Sequence, residues 1–70
     1  MYTYQVRNYF VGEVYEYTHE NRSIACKNAY KRAESVVRGN LWYEINEGDR
    51  SGVLLYEKLP NNQYRLVKMW

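Results

Sequence analysis

One cysteine, one proline, one histidine and one aspartate in 70 residues leave little material for several kinds of chemistry. Cys26 alone excludes an internal disulfide, and neither a redox pair nor a four-cysteine zinc site can be assembled from it. It is expected as a small, buried residue on a helix flank. His19 is expected to be solvent-exposed in a polar connector. As the only histidine it would have to serve Ser23, Ser35 or Ser51 as a base, with a carboxylate also brought to it by the fold. Glu13, Glu16, Glu44, Glu47, Asp49 and Glu57 have the spacing of solvent-facing strand and loop positions rather than that of a two-metal site. Gly48 and Gly52 flank a turn that lacks the lysine and the serine or threonine of a phosphate loop. No apolar run approaches the roughly 20 residues that span a bilayer, and residues 1–10 lack a basic region followed by a greasy core. A cytoplasmic protein with no membrane partner, no metal, no cofactor and no catalytic residues is therefore expected.

What the chain does have is aromatic surface. Nine tyrosines, two tryptophans and one phenylalanine offer apolar bodies with polar tips, suited to a half-exposed sheet and to an interface alike. The net charge of +2 is unevenly spread. Residues 1–21 set Arg7 against Glu13, Glu16 and Glu20. Residues 22–38 set Arg22, Lys27, Lys31, Arg32 and Arg38 against Glu34 alone, so the positive charge sits on one segment.

That segment, 23–38, reads as an amphipathic helix. At about 100° per residue, Ala25, Ala29, Ala33 and Val36 fall on one stripe, flanked by Cys26, Tyr30 and Val37, while Lys27, Lys31, Glu34 and Arg38 point away. Asn21 or Ser23 can cap its first turn, and Gly39 followed by Asn40 reads as a left-handed stop. Alanines spaced by four let the helix axis approach a sheet of large side chains.

The rest reads as strand. Residues 2–10 alternate, with Tyr2, Tyr4, Val6 and Phe10 opposite Thr3, Gln5, Arg7 and Tyr9. Residues 13–18 set Tyr15 and Tyr17 against Val14, Glu16 and Thr18. The break at Val11 and Gly12 fits either a hairpin or one bulged strand. Leu41, Tyr43 and Ile45 share a face of a short strand at 41–45, a turn-rich loop follows at 47–52, and strands at 53–59 and 63–70 flank Pro60, Asn61 and Asn62. The order β-β-α-β-β-β predicts a single α+β domain: an antiparallel sheet of four to five strands with one helix packed on one face.

One helix cannot cover both faces of such a sheet. Trp42, together with either Leu54 and Tyr56 or Val53 and Leu55, must face away from it, and a contiguous apolar patch on a small protein commonly marks a binding surface. The expected function is a non-enzymatic protein-binding module that uses Tyr9, Tyr15, Tyr17, Trp42 and Tyr56. The alternative is nucleic-acid binding by the basic helix face, Arg22, Lys27, Lys31, Arg32 and Arg38, with aromatic side chains stacking on bases. A homodimer through the same apolar face or a terminal strand edge is a third reading.

Two resemblances bear on these readings. Residues 2–33 are locally similar to the second half of double-stranded RNA-binding domains, where two strands lead into a helix opening with basic residues and spaced alanines. Here the stretch is Arg22, Ser23, Ile24, Ala25, Cys26, Lys27, Asn28, Ala29, Tyr30, Lys31, Arg32, Ala33. That family clamps phosphates with two or three lysines at the helix start, and only Arg22 stands at such a position. In layout and in the aromatic surplus at Tyr9, Tyr15, Tyr17, Trp42 and Tyr56, the chain also resembles the small accessory proteins of bacteriophages, including anti-CRISPR and other anti-defence inhibitors. That resemblance implies inhibition by occluding a functional surface of a host protein, in the host cytoplasm.

Overall fold

The computed structural model describes residues 1–42 and 52–70. Strand β1 (Tyr2–Asn8) and strand β2 (Glu13–His19) precede a helix, α1 (Arg22–Trp42), which is followed by β3 (Val53–Lys58) and β4 (Tyr64–Met69). The four strands make one antiparallel sheet in the order β2-β1-β3-β4, with α1 packed on one face. This is the expected α+β class, with four strands among the described residues.

The two N-terminal strands are separate. They pair from Tyr2 with His19 to Asn8 with Glu13, and Gly12, at φ 71°, closes the loop by donating its N–H to the Asn8 carbonyl at 2.9 Å. A left-handed residue there suits glycine because it has no Cβ to clash. At the β3–β4 hairpin the Asn62 N–H bonds the Leu59 carbonyl at 3.0 Å, with Pro60 second in the turn and Asn62 left-handed at φ 63°. β1 is extended past Asn8 by a Tyr9 N–H to Gly52 carbonyl bond of 2.9 Å. There the Phe10 ring lies so close over Gly52, itself at φ 76°, that an added Cβ would stand 2.9 Å from two ring carbons.

Alternation places Tyr4, Val6 and Asn8 of β1 and Val53, Leu55 and Glu57 of β3 beneath the helix, all buried. Ala25, Ala29 and Ala33 meet them and are fully buried, so the small-residue stripe does let the helix lie close. Tyr15, Tyr17, Cys26, Tyr30, Val36, Val37 and Trp70 are packed around this core and remain partly exposed.

Asn21 caps the helix, its Oδ1 accepting the Ile24 N–H at 3.2 Å. The helix end departs from expectation. Gly39 and Asn40 do not stop it; α1 runs on through Leu41 and Trp42, which are therefore helical rather than part of a strand. The remainder of the expected strand at 41–45, and the loop at 47–51, lie outside the described residues. The physical reason for the continuation is Asn40, which is buried and pairs its amide with that of Asn8, each Nδ2 donating to the other's Oδ1 at 3.2 and 3.4 Å. Asn8 Oδ1 also accepts the Phe10 N–H at 3.2 Å. Asn8→Ala is expected to cost about 1–3 kcal/mol in urea unfolding, because it strands buried polar groups of its partners. A loss under about 0.5 kcal/mol would show that water substitutes for the amide.

His19 also differs from expectation. It is the last residue of β2, half-buried, and its Nδ1 accepts the Asn21 N–H at 2.9 Å, which steers the chain into the helix.

Candidate functional site

The sheet face away from α1 is built from the alternate residues of each strand. Across the sheet, Val14 pairs with Arg7, Arg7 with Leu54, and Leu54 with Met69; one pair along, Gln5 stands between Glu16 and Tyr56, and Tyr56 pairs with Leu66. No element of the described chain lies over this face.

At its centre is Arg7. Its guanidinium carbon sits 4.2 Å from the Tyr56 ring centroid and 4.9 Å from that of Tyr64, and the two rings themselves meet edge to face at 6.5 Å. Gln5 Oε1 accepts from both Nε and Nη2 of Arg7, at 3.2 and 3.1 Å. Gln5 is in turn held by its own amide, which donates to Glu16 at 2.9 Å and to the Tyr64 hydroxyl at 3.2 Å. Arg7 makes no ion pair among the described residues. A guanidinium clamped between rings and braced by an amide has lost much of its side-chain freedom, so an incoming anion need not order it. Arg7 also holds the Tyr9 phenol below the usual tyrosine range, with a hydrogen bond from Tyr56 helping, while burial and the neighbouring Tyr9 push Tyr56 upward. The apolar rim is open to solvent: Val14 is 57% exposed, Leu66 48% and Met69 49%.

The expected aromatic residues divide between faces. Tyr56 and Tyr9 belong to the Arg7 cluster. Tyr15 and Tyr17 do not: they pair with Val6 and Tyr4, on the helix side, and pack against the core. Arg32 ties them to α1, its Nε donating to the Tyr17 hydroxyl at 2.7 Å and its guanidinium lying 4.9 Å from the Tyr15 ring centroid. Trp42 belongs to the last turn of α1 and not to a strand, so it is not one of the strand residues that build this face. Of the face's polar members, Arg7, Gln5 and Tyr64 were missed. The available signal was that Arg7 and Gln5 share a strand face with Tyr9.

The five helix cations are all exposed, but they are not equivalent. Arg22 reaches down to the buried Glu57 carboxylate at 2.9 Å and to the Tyr4 hydroxyl at 3.3 Å, and Arg32 is engaged by the tyrosines. Lys27, Lys31 and Arg38 make no ion pair among the described residues.

Glu57, expected at a solvent-facing position, is buried. Tyr4 donates to it at 2.9 Å, and Arg22 and Arg65 both pair with it. Its phase was readable, because Glu57 falls in step with Val53 and Leu55. No group of three or more histidine, cysteine, aspartate or glutamate side chains is placed to hold a metal ion among the described residues. No described helix is long and apolar enough to cross a membrane. No protein-family model, curated protein or solved structure matches the chain significantly.

Proposed function

We propose that the protein is a non-enzymatic binding module whose helix-free sheet face docks onto a folded protein, acting by occlusion as an inhibitor or regulator of the kind its layout resembles. The observation that carries this reading is Arg7, stacked on Tyr56 and Tyr64, without a carboxylate partner among the described residues, inside a rim of exposed Val14, Leu66 and Met69. Arginine and tyrosine dominate interface hot spots because they bring large contact area and directed hydrogen bonds at one point. The matching partner surface presents a carboxylate surrounded by apolar side chains. The rival reading, a nucleic-acid contact through α1, has less support, since Arg22 and Arg32 are committed to Glu57 and to the tyrosines.

The test is comparative capture from cells of the source organism with wild-type protein and with Arg7→Ala, followed by titration of whatever the wild type alone retains. Arg7→Ala is expected to weaken that complex by about 2 kcal/mol or more, roughly thirtyfold, with the circular dichroism spectrum unchanged. Lys58→Ala, on the same face at its polar end, should leave affinity within about twofold. A partner indifferent to Arg7→Ala would sink the reading, as would recovery of nucleic acid in its place.

A further inference from the structure

The described residues cover the helix side of the sheet incompletely. α1 lies over β1, β2 and β3, and its backbone does not reach β4. Strands spaced about 4.8 Å apart make a four-strand sheet about 14 Å between its outer axes, and a helix about 10 Å across that lies over β2, β1 and β3 leaves the β4 side of this face without a covering element among the described residues. Beside α1 on this side is a groove of about 770 Å³ whose apolar lining is Tyr4, Cys26, Tyr30 and Val67. At Tyr30 the chain bridges from α1 to β4: Trp70 packs edge to face on its ring at a centroid distance of 5.2 Å, and Lys68 Nζ donates to its hydroxyl at 2.7 Å.

Two features decide what would fill it. The first is charge. Lys27 and Lys31 on α1 and Arg22 and Arg65 at the mouth face one acidic residue of the lining, Glu34. The two arginines are held by Glu57, whereas Lys27 and Lys31 make no ion pair among the described residues. The second is the form of β4. A register shift opposite Leu55 and Tyr56 leaves Val67 without a cross-strand partner, and Val67 lines the groove. A bulge flanked by Arg65 and Lys68 is how edge strands resist pairing with another strand, which disfavours an added strand and leaves the apolar floor for a helix.

We infer that this groove accepts an acidic amphipathic helix of a partner protein, laid beside α1 over β3 and β4. The lining on α1 runs from Arg22 to Glu34, about 18 Å at 1.5 Å per residue, which fits about three turns. Apolar residues spaced by three and four meet the floor, and acidic residues on the near flank meet Lys27 and Lys31. This surface lies on the opposite side of the sheet from Arg7 and stands independently of the docking reading above.

The probe is a fluorescein-labelled, helix-stapled 14-residue peptide with leucine at positions spaced by three and four and glutamate on both flanks. Fluorescence anisotropy at low salt is expected to show saturable binding that weakens as salt rises. Lys27→Glu and Val67→Asp should each weaken it tenfold or more. Arg38→Glu, which changes the net charge as much as Lys27→Glu but lies beyond the groove lining, should stay within twofold, and a peptide of the same composition with its leucines scattered should bind at least tenfold more weakly. Equal losses from Lys27→Glu and Arg38→Glu, or equal binding of the scattered peptide, would reduce the effect to general charge attraction and overturn the inference. So would displacement of the peptide by a single-stranded oligonucleotide at lower concentration than by unlabelled peptide, or a dimer in sedimentation that Val67→Asp dissociates. Circular dichroism of each variant separates loss of binding from loss of fold.

Discussion

Leu55→Ala is expected to destabilise the protein by about 3 kcal/mol, within the roughly 2–5 kcal/mol range of buried leucine truncations. Leu55 is the largest of the fully buried side chains among the described residues, on an inner strand, directly beneath α1 and paired with Val6. Its neighbours offer no easy repair: the alanines of the helix stripe are too short to reach into a cavity, and the strand backbones are fixed by pairing on both sides. A domain of this size carries roughly 4–10 kcal/mol in total, at about 0.05–0.15 kcal/mol per residue, so the loss is a large share of it. The melting temperature should fall by roughly 12–24 °C. Leu66→Ala removes the same atoms from a side chain that is 48% exposed on the opposite face, and should change stability by about 0.5 kcal/mol or less. Urea unfolding of the two variants side by side is the measurement. Equal losses would mean that the helix-free face is as well sealed in solution as the core, which would also remove the open surface from the docking proposal.

The contrast between those two leucines shows what was legible in the chain. Alternation marks which residues share a face, and it grouped Tyr4 with Val6 and Tyr15 with Tyr17 correctly. It does not mark which face meets the helix; that depends on strand pairing across the hairpin, which sets Tyr17 opposite Tyr4 and so carries both tyrosines to the covered side. The alanine stripe was legible because period and residue size agree along it. Gly39 and Asn40 misled because the signals of a helix stop are local, while the interaction that decides the outcome, Asn40 with Asn8, joins positions far apart in the chain. Arg7 was obscured for a related reason: a cation on an exposed strand face reads as solvated until the fold brings Tyr56 and Tyr64 against it. Glu57 had the right phase for burial, but its charge argued against it, and it takes Tyr4, Arg65 and Arg22, from three other elements, to make that burial tolerable.

Glu57→Gln should therefore be the most damaging polar substitution, with an expected loss of about 2 kcal/mol at pH 7. Removing one member of a buried ion pair costs about 3–5 kcal/mol when the other is trapped without a partner. The loss here falls below that range, because the arginine side chains are 56% and 57% exposed and can turn to water, so that what is lost is chiefly the charge-assisted hydrogen bonds, worth about 1.5–3 kcal/mol. Burial by itself would raise the Glu57 carboxyl, but the Tyr4 hydroxyl, Arg65 and Arg22 outweigh it and hold the group below the usual carboxylate range. A carboxylate depressed in the folded state contributes its full stability above its unfolded value, near about 4.3, and loses that contribution as pH falls toward the folded value. Wild type and Glu57→Gln should thus differ fully from pH 7 down to about 5 and draw together only as pH falls below the unfolded value of about 4.3 toward the lower folded one, since the amide has no proton to take up. Urea midpoints for both proteins between pH 2.5 and 7 would show this, and curves that stay parallel through the acid range would place the carboxylate in an ordinary, solvated setting. Tyr4, Arg22 and Arg65, the side chains that hold Glu57, also line the groove beside β4. Loss of the carboxylate therefore releases two cations there, so Glu57→Gln should bind the acidic helical peptide more tightly while folding less stably.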